Sequence, residues 1–260
     1  EMTRLSGKVV AVTRSMDDRS LAPLLAAEGA EVVHWPTIKI QGTSNPEALK
    51  TALGSIASYN WIVFTSQHSV TSVLSMIPVQ PTGIRVAAVG SRTAEALSKR
   101  QWRTDVIGVG GSADLAKEIK KSYPLAGVSV LFPAGNLAAP TLQNSLEAAG
   151  AEVTRVEAYE TKTLSMDPTR ILNDLTTGVD VVTFASPSAV ETMANAMDDG
   201  WSKVLQHCSV VAIGATTRDA LVAHGALKNA VSVANPATFA GLVEATVSSS
   251  ISTPMREHER

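Results

Sequence analysis

Short apolar runs alternate with amphipathic stretches along the chain, as in parallel α/β proteins. The run Val9–Val12 is followed by leucines at helical spacing, Leu21, Leu24 and Leu25, and then by a second apolar run that starts at Glu31. Further runs with few polar residues lie at 62–64, 86–89, 128–132, 181–182 and 210–213. Strands covered by helices on both faces are continuously apolar. The pattern therefore predicts parallel sheets between helices, with right-handed crossovers.

The same pattern occurs twice. Three segments return at nearly one spacing: residues 29–32 at 150–153, an offset of 121, residues 61–66 at 180–186, an offset of 120, and residues 86–90 at 210–214, an offset of 124. Such repetition indicates a duplicated unit. A chain of 260 residues with 45% hydrophobic residues can fill two modest cores. We therefore expect two α/β domains and look for a ligand first in the cleft between them.

Charge and cysteine content exclude several classes of function. The net charge is −2 and no block of lysine or arginine occurs, so no nucleic-acid partner is expected. No apolar run is long enough to span a membrane, and the first residues lack a signal-peptide core, so the prediction is a cytoplasmic protein without a membrane partner. The single cysteine, Cys208, cannot form an internal disulfide, and no metal-binding spacing of Cys or His occurs.

The segments between strands and helices carry the polar residues of interest. Rich in Ser, Thr, Asn and Gly, they are residues 13–15, 65–69, 90–93, 133–136, 185–188 and 214–217. They should share the carboxyl edge of their sheet, where open α/β sheets bind ligands. Two interpretations stay open. The side chains cap helices, as in any protein, or they bind an anion together with the N–H groups at helix starts. A polyanionic small molecule would fit the second interpretation.

Two nucleotide-binding motifs are missing. The first of these loops has no glycine, whereas a dinucleotide-binding turn needs several. Residues 108–112 are glycine-rich but lack the Gly-Lys-Ser/Thr ending of a P-loop, so we interpret them as a turn with Ser112 as a helix cap. A nicotinamide cofactor is therefore not expected. Among the histidines only His68 lies in a candidate loop, and Tyr159 is either a half-buried strand residue or a functional group.

Together these segments resemble the uroporphyrinogen-III synthase family. The resemblance extends from about residue 9 to about residue 243. It rests on Phe64-Thr65-Ser66 with Ser69-Val70, Ala88-Val89-Gly90 with Thr93, Phe132 to Asn136, Tyr159-Glu160-Thr161, Phe184 to Val190, and Ala212 to Thr217. Two positions depart from the usual pattern, since Ser15 stands where proline is common and His68 where asparagine is common.

The resemblance implies a fold and an activity. Enzymes of this family are cyclising hydro-lyases of porphyrin and heme biosynthesis. They dehydrate hydroxymethylbilane and close it to uroporphyrinogen III with ring D inverted, without a metal or organic cofactor. The implied architecture is two doubly wound α/β domains, one of them discontinuous, joined by a two-stranded linker, with the active site in the cleft. Mapped here, the first domain is 1–37 with 163–260, the second is 43–157, and the linker strands are 38–42 and 158–162.

The resemblance also implies roles for individual residues. Tyr159 would be the catalytic proton donor. The residues expected to bind the carboxylates of the substrate are Arg14, Ser66, His68, Ser69, Gly90, Thr93, Gly135, Asn136, Ser186, Ser188, Gly214, Thr216 and Thr217. No metal ligands are expected.

Three further expectations concern partners and the chain end. The tetrapyrrole substrate is expected to be handed over transiently by hydroxymethylbilane synthase, and the protein is expected to be a monomer. Residues 248–260 are polar and expected to be frayed.

Two alternatives to the enzyme are a tetrapyrrole-binding regulatory module without catalysis and a two-lobed binding protein for another anion. The presence of Tyr159 and the missing signal peptide favour the enzyme.

Overall fold

The computed structural model describes residues 3–16 and 20–251, which form two compact units. The first unit contains the chain up to Lys39 and from Lys162 onward, and the second contains Ile40–Thr161. The two boundaries fall within residues 38–42 and 158–162, so the second unit is an insertion in the first.

The strands are short in both units. In chain order they are β1 (Val9–Val12), β2 (Glu31–His34), β3 (Ile38–Gly42), β4 (Trp61–Phe64), β5 (Arg85–Val89), β6 (Val106–Gly108), β7 (Ser129–Gly135), β8 (Glu152–Thr163), β9 (Val181–Phe184), β10 (Ser209–Ala212) and β11 (Val231–Val233).

Helices alternate with these strands. They are α1 (Ala22–Ala27), α2 (Pro46–Gly54), α3 (Gln67–Met76), α4 (Gly90–Ser98), α5 (Ser112–Ser122), α6 (Thr141–Glu147), α7 (Pro168–Thr177), α8 (Pro187–Met197), α9 (Trp201–His207), α10 (Ala215–Ala223) and α11 (Phe239–Ile251), with 3₁₀ turns at Ile56–Ser58, Asp198–Gly200 and Lys228–Ala230. None of the described helices is long and apolar enough to cross a membrane.

The two sheets share one strand order. In the first unit the order is β2-β1-β9-β10-β11, and in the second it is β3-β8-β7-β4-β5-β6. Setting β3 aside, β8, β7, β4, β5 and β6 take the places of β2, β1, β9, β10 and β11. The neighbours within each set of five pair in parallel. The predicted α/β fold with parallel sheets is confirmed.

Each sheet separates two hydrophobic cores. In the second unit, Val70 and Trp102 belong to a core on the side of α3, which we call the α3 core, while Leu115 and Leu142 belong to a core on the opposite side, the α5 core. The first unit has one core under α7 to α10 and another under α1 and α11. The central strands β4 and β9 are buried throughout, as expected for strands covered on both faces.

Strand β8 contains an irregularity that matters for the site. Its pairing with β7 runs regularly from Ser129 opposite Glu152 to Ala134 opposite Glu157, and then Gly135 lies opposite Tyr159. Ala158 is therefore an extra residue, which makes a β-bulge. A bulge changes which face of a sheet the following side chains point to.

Three local predictions were wrong. Residues 133–135 belong to β7 instead of a loop before a helix, because β7 continues pairing with β8 as far as the bulge. Gly111, with φ of 104°, is the N-cap of α5, and Ser112 is its first helical residue, so Ser112 is not a cap. Residues 248–251 are not frayed, since they form the last turn of α11. Residues 252–260 lie outside the described part of the chain.

Candidate active site

The second unit has its topological switch point between β7 and β4. These strands are neighbours in the sheet, but the chain continues from β7 through α6 to β8 on one side and from β4 through α3 to β5 on the other. Segments that leave in opposite directions open a crevice at the carboxyl edge of such a sheet, where ligands bind. Gly135 ends β7, and Ser66 follows β4. The crevice is thus lined by residues that the sequence singled out.

Ser66 caps the helix that leaves β4, and Ser69 lies in the first turn of that helix. The Ser66 hydroxyl accepts a hydrogen bond from the N–H of Ser69 at 3.1 Å, and the Ser69 hydroxyl donates to the carbonyl of Ser66 at 2.8 Å. Ser69 is buried, whereas His68 is exposed. Ser66 therefore caps α3, and its contact with a ligand stays a prediction.

Tyr159 lies beside Gly135 and His68. Its side chain is half-buried against the α3 core, and its ring centroid is 5.4 Å from that of His68, with an angle of 50° between the rings. A Cβ atom built on Gly135 would lie 2.6 Å from Cζ of Tyr159 and 2.7 Å from its hydroxyl oxygen. The phenol therefore rests directly on the Gly135 backbone at the carboxyl end of β7.

Asn136, directly after β7, continues the pairing of β7 with β8. Its side-chain oxygen accepts from the N–H of Thr161 at 2.8 Å, and its amide donates to the carbonyl of Thr161 at 3.2 Å. Its backbone N–H donates to the carbonyl of Tyr159 at 3.2 Å. These bonds fix β8 at Tyr159 and at Thr161, so the amide of Asn136 has a structural role whether or not it contacts a ligand.

Sequence reasoning missed Arg155, which supports the segment after β7. Its guanidinium donates to the carbonyl of Ala138 at 2.7 Å and lies 5.7 Å from the ring centroid of Phe132. The signal available in the sequence was an arginine among the apolar residues of a strand.

Gly90 and Thr93 lie one strand further along this edge. Gly90 opens α4 with φ of 77°, a left-handed conformation that favours glycine. Thr93 is buried on the first turn of that helix. The side-chain amide of Gln67 donates to the carbonyl of Arg92 at 3.5 Å, which links the starts of α3 and α4.

The first unit has its own switch point, between β1 and β9. Thr13 follows β1 and is buried, with its hydroxyl donating to the carbonyl of Thr183 at 2.9 Å. The guanidinium carbon of Arg14 lies 4.7 Å from the ring centroid of Phe239. Arg14 thus places a cation at the carboxyl edge of this sheet.

The segments after β9 and β10 resemble those after β4 and β5 only in part, since the serine cap is repeated and the left-handed glycine is not. The Ser186 hydroxyl accepts from the N–H of Ala189 at 3.2 Å and lies 3.1 Å from the hydroxyl of Ser188. Gly214 precedes α10 in an extended conformation, with φ of −170°, and makes no side-chain cap. Thr216 is exposed on the first turn of α10 and Thr217 is buried.

Comparison with known proteins agrees with this fold. The family model described as uroporphyrinogen-III synthase HemD matches residues 19–244. The chain belongs to the uroporphyrinogen-III synthase family. A uroporphyrinogen-III synthase from Synechococcus elongatus is 28% identical over 227 residues, which cover 82% of this chain and 85% of the relative. The resemblance stated from the sequence is therefore confirmed, and with it the prediction of a cyclising lyase of porphyrin and heme biosynthesis.

Solved structures of this family share the fold. A mutant uroporphyrinogen III synthase from the extremely thermophilic bacterium Thermus thermophilus superposes with a TM-score of 0.60 at 17% identity and covers 95% of this chain and 100% of its own. Uroporphyrinogen-III synthetase from Helicobacter pylori gives a TM-score of 0.60 at 16% identity, with coverage of 93% and 99%.

Proposed function

We propose that this protein converts hydroxymethylbilane to uroporphyrinogen III and that Tyr159 supplies the proton for the first step. The observation that carries the proposal is the placement of the Tyr159 phenol beside Gly135 and His68, at the switch point of the second unit. A proton donor in such a crevice suits a reaction that begins with the loss of a hydroxyl group.

The first step needs an acid because hydroxide is a poor leaving group. The C–O bond of the hydroxymethyl group breaks, its electron pair goes to oxygen, and the phenol proton completes a water molecule. The remaining azafulvene cation is attacked by the substituted carbon of ring D, which gives a spirocyclic intermediate. The older bond from that carbon to its methylene bridge then breaks, and the freed methylene bonds the unsubstituted carbon of ring D, which inverts the ring. The proton lost from that carbon returns to the phenolate, so the phenol is restored. A positioned general acid typically accelerates its step by about 10²- to 10⁴-fold.

Binding of the substrate must come from local donors. Each pyrrole ring of hydroxymethylbilane carries carboxylates, while this chain has a net charge of −2. Arg14 offers a cation, and the helices that begin after Ser66, Ser186 and Gly214 offer N–H groups at their starts. Each helix start contributes about 0.3–1 kcal/mol toward an anion at an exposed position. The location between the domains, the handover from hydroxymethylbilane synthase, the monomeric state and the cytoplasmic location stay predictions.

The test is the isomer composition of the product. Freshly prepared hydroxymethylbilane is incubated with the protein, the products are oxidised, and the isomer I and isomer III porphyrins are separated by chromatography. We expect mostly isomer III. Isomer I at the uncatalysed rate, from a folded protein, would contradict the proposal and favour a tetrapyrrole-binding module without catalysis.

The role of Tyr159 is tested with a matched pair of variants. Tyr159→Phe should slow isomer III formation by about 10²- to 10⁴-fold, since the ring stays and the proton donor is lost. Tyr59→Phe is the control, because Tyr59 is also half-buried against the α3 core but precedes β4, at the other end of that strand. Undiminished activity of Tyr159→Phe would refute the assignment.

A further inference from the structure

Position 135 requires glycine because a side chain there would collide with Tyr159. It does not adopt a left-handed conformation, since the described glycines with positive φ do not include it. It is buried at the end of β7, and a Cβ atom there would come within 2.6 to 2.9 Å of two ring carbons and the hydroxyl oxygen of Tyr159. Real Cβ atoms essentially never approach other heavy atoms that closely. The backbone conformation at this position would accept other residues, and the nearest atoms that a side chain would meet all belong to Tyr159.

The bulge in β8 explains why the ring meets Gly135. Val153 packs against the α5 core, as Arg155 does through its contact with Phe132. Strict alternation would place Tyr159 on that same face, because residues an even number apart point the same way. The extra residue Ala158 shifts the register, so that Tyr159 packs against the α3 core, near His68. The bulge thus turns the ring toward α3, and Gly135 leaves room for it there.

We propose that Gly135, opposite the β-bulge at Ala158, is a positioning residue that sets the place of the Tyr159 hydroxyl. This inference rests on the proposed function of Tyr159 and gives Gly135 a role distinct from the substrate binding implied by the family resemblance. A methyl group on Gly135 must displace the ring by roughly 1 Å, which is the distance between the close approach found here and ordinary van der Waals contact. A displacement of this size in an active site can slow a reaction by about 10²-fold.

The kinetic test is a double-mutant cycle. Gly135→Ala should lower kcat for isomer III by about 10²-fold, with KM changed by less than about threefold, because the phenol is misplaced while the binding groups are unchanged. In a Tyr159→Phe background, measured under single-turnover conditions, the same substitution should lower the rate by less than about threefold. Equal losses in both backgrounds would overturn the proposal, and so would a Gly135→Ala enzyme with full kcat.

A stability cycle tests the contact independently of the reaction. Gly135→Ala should lower the Tm by about 3–10 °C when Tyr159 is present, as expected for overpacking. In a Tyr159→Ala background the same substitution should shift the Tm by less than about 2 °C, because the space is then open. If Gly135→Ala does not fold, the double variant Gly135→Ala/Tyr159→Ala should fold. Equal destabilisation in both backgrounds, or failure of both variants to fold, would overturn the proposal.

Gly54→Ala is the matched control. Gly54 ends α2, has no left-handed φ, and a Cβ there would meet nothing within 4 Å. We expect its kcat to equal that of the parent and its Tm to be equal or slightly higher, because alanine loses less backbone entropy on folding than glycine does. If the parent itself makes no isomer III, the proposed function fails, while the stability cycle still decides whether Gly135 sets the position of the ring.

Discussion

The two copies of the α/β unit share a frame and differ at their switch points. Phe64 and Phe184 are equivalent residues at the ends of β4 and β9, and each packs edge-on against a tryptophan, Trp102 at 6.2 Å and Trp201 at 6.0 Å between ring centroids. Ser66 and Ser186 follow them as helix caps of the same geometry. The central strand and its helix start have thus kept both their packing and their capping.

The neighbouring strand pair differs. In the second unit β8 is long and bulged, and it brings a phenol over Gly135. In the first unit β2 has four residues, and the segment after β1 carries Arg14. The core and the helix caps therefore maintain the shared frame. The functional groups differ because they come from the neighbouring strand pair, β7 and β8 in the second unit and β1 and β2 in the first. We expect equivalent substitutions in the shared frame to lower the stability of their own unit by similar amounts. Substitutions at the two switch points should instead differ in effect, on kcat in the second unit and on KM in the first.

The largest effect should come from the equivalent phenylalanines. Phe64→Ala and Phe184→Ala should each lower the free energy of unfolding by about 3–5 kcal/mol, since both rings are fully buried. Hydrogen exchange followed by mass spectrometry should show faster exchange only in the unit that carries the substitution, because the cores are separate. Loss of protection in both units would show that they unfold together.

Arg14 should affect binding more than turnover. Arg14→Gln should raise KM by about 10- to 100-fold with little change in kcat, as expected for the loss of one charge-assisted hydrogen bond to a carboxylate, about 1.5–3 kcal/mol. Arg85→Gln is the control, because Arg85 also stacks on an aromatic ring, Tyr123 at 4.6 Å, but lies at the amino end of β5. A fall in kcat with unchanged KM would show that Arg14 acts in the chemical step. The first switch point would then not differ from the second in serving mainly to bind the substrate.

The equivalent caps should have smaller and similar effects. Ser66→Ala and Ser186→Ala should each lower the free energy of unfolding by about 1 kcal/mol, because each leaves one helix-start N–H without its partner. Denaturant unfolding measures this, with Ser75→Ala on the exposed side of α3 as control. A rise in KM beyond that of the control would show that the hydroxyls also bind the substrate, and an unchanged KM would leave them as caps.

The sequence predicted well what depends on hydrophobic period and repetition. The buried strands β4 and β9, and Ser66 and Ser186 just after them, follow from continuous apolar runs that end in a capping residue. The bulge at Ala158 could not be predicted, because a single extra residue changes the face of Tyr159 without changing the composition of the strand. The extension of β7 to Gly135 was missed for a related reason: proline and glycine usually mark a loop, but here they lie in a strand whose partner continues beside them.

The smallest effect should appear at acidic pH in the first unit. Arg4 donates to both carboxylate oxygens of Glu28, at 2.8 and 2.6 Å, and of Glu244, at 2.8 and 2.8 Å, and its guanidinium lowers the pKa of both glutamates. Because these pKa values are depressed in the folded protein, the stabilisation is present above the ordinary value of 4.5 and is lost as the pH falls through the lower folded values. Water and salt screen these groups, because Arg4 and Glu244 are exposed and Glu28 is only partly buried, so the effect is small.

Arg4→Gln should therefore leave a Tm that depends less on pH below the ordinary glutamate pKa of 4.5 than that of the parent, and added salt should reduce the difference. The second unit offers a comparison in Lys99, which lowers the pKa of Glu95 one helical turn away. Lys99→Gln should have a smaller effect than Arg4→Gln, because Lys99 neutralises one carboxylate within a single helix, while Arg4 links α11 to the residue that ends α1. An equal effect of the two substitutions would show that an ion pair between two helices stabilises the protein no more than an ion pair within one helix.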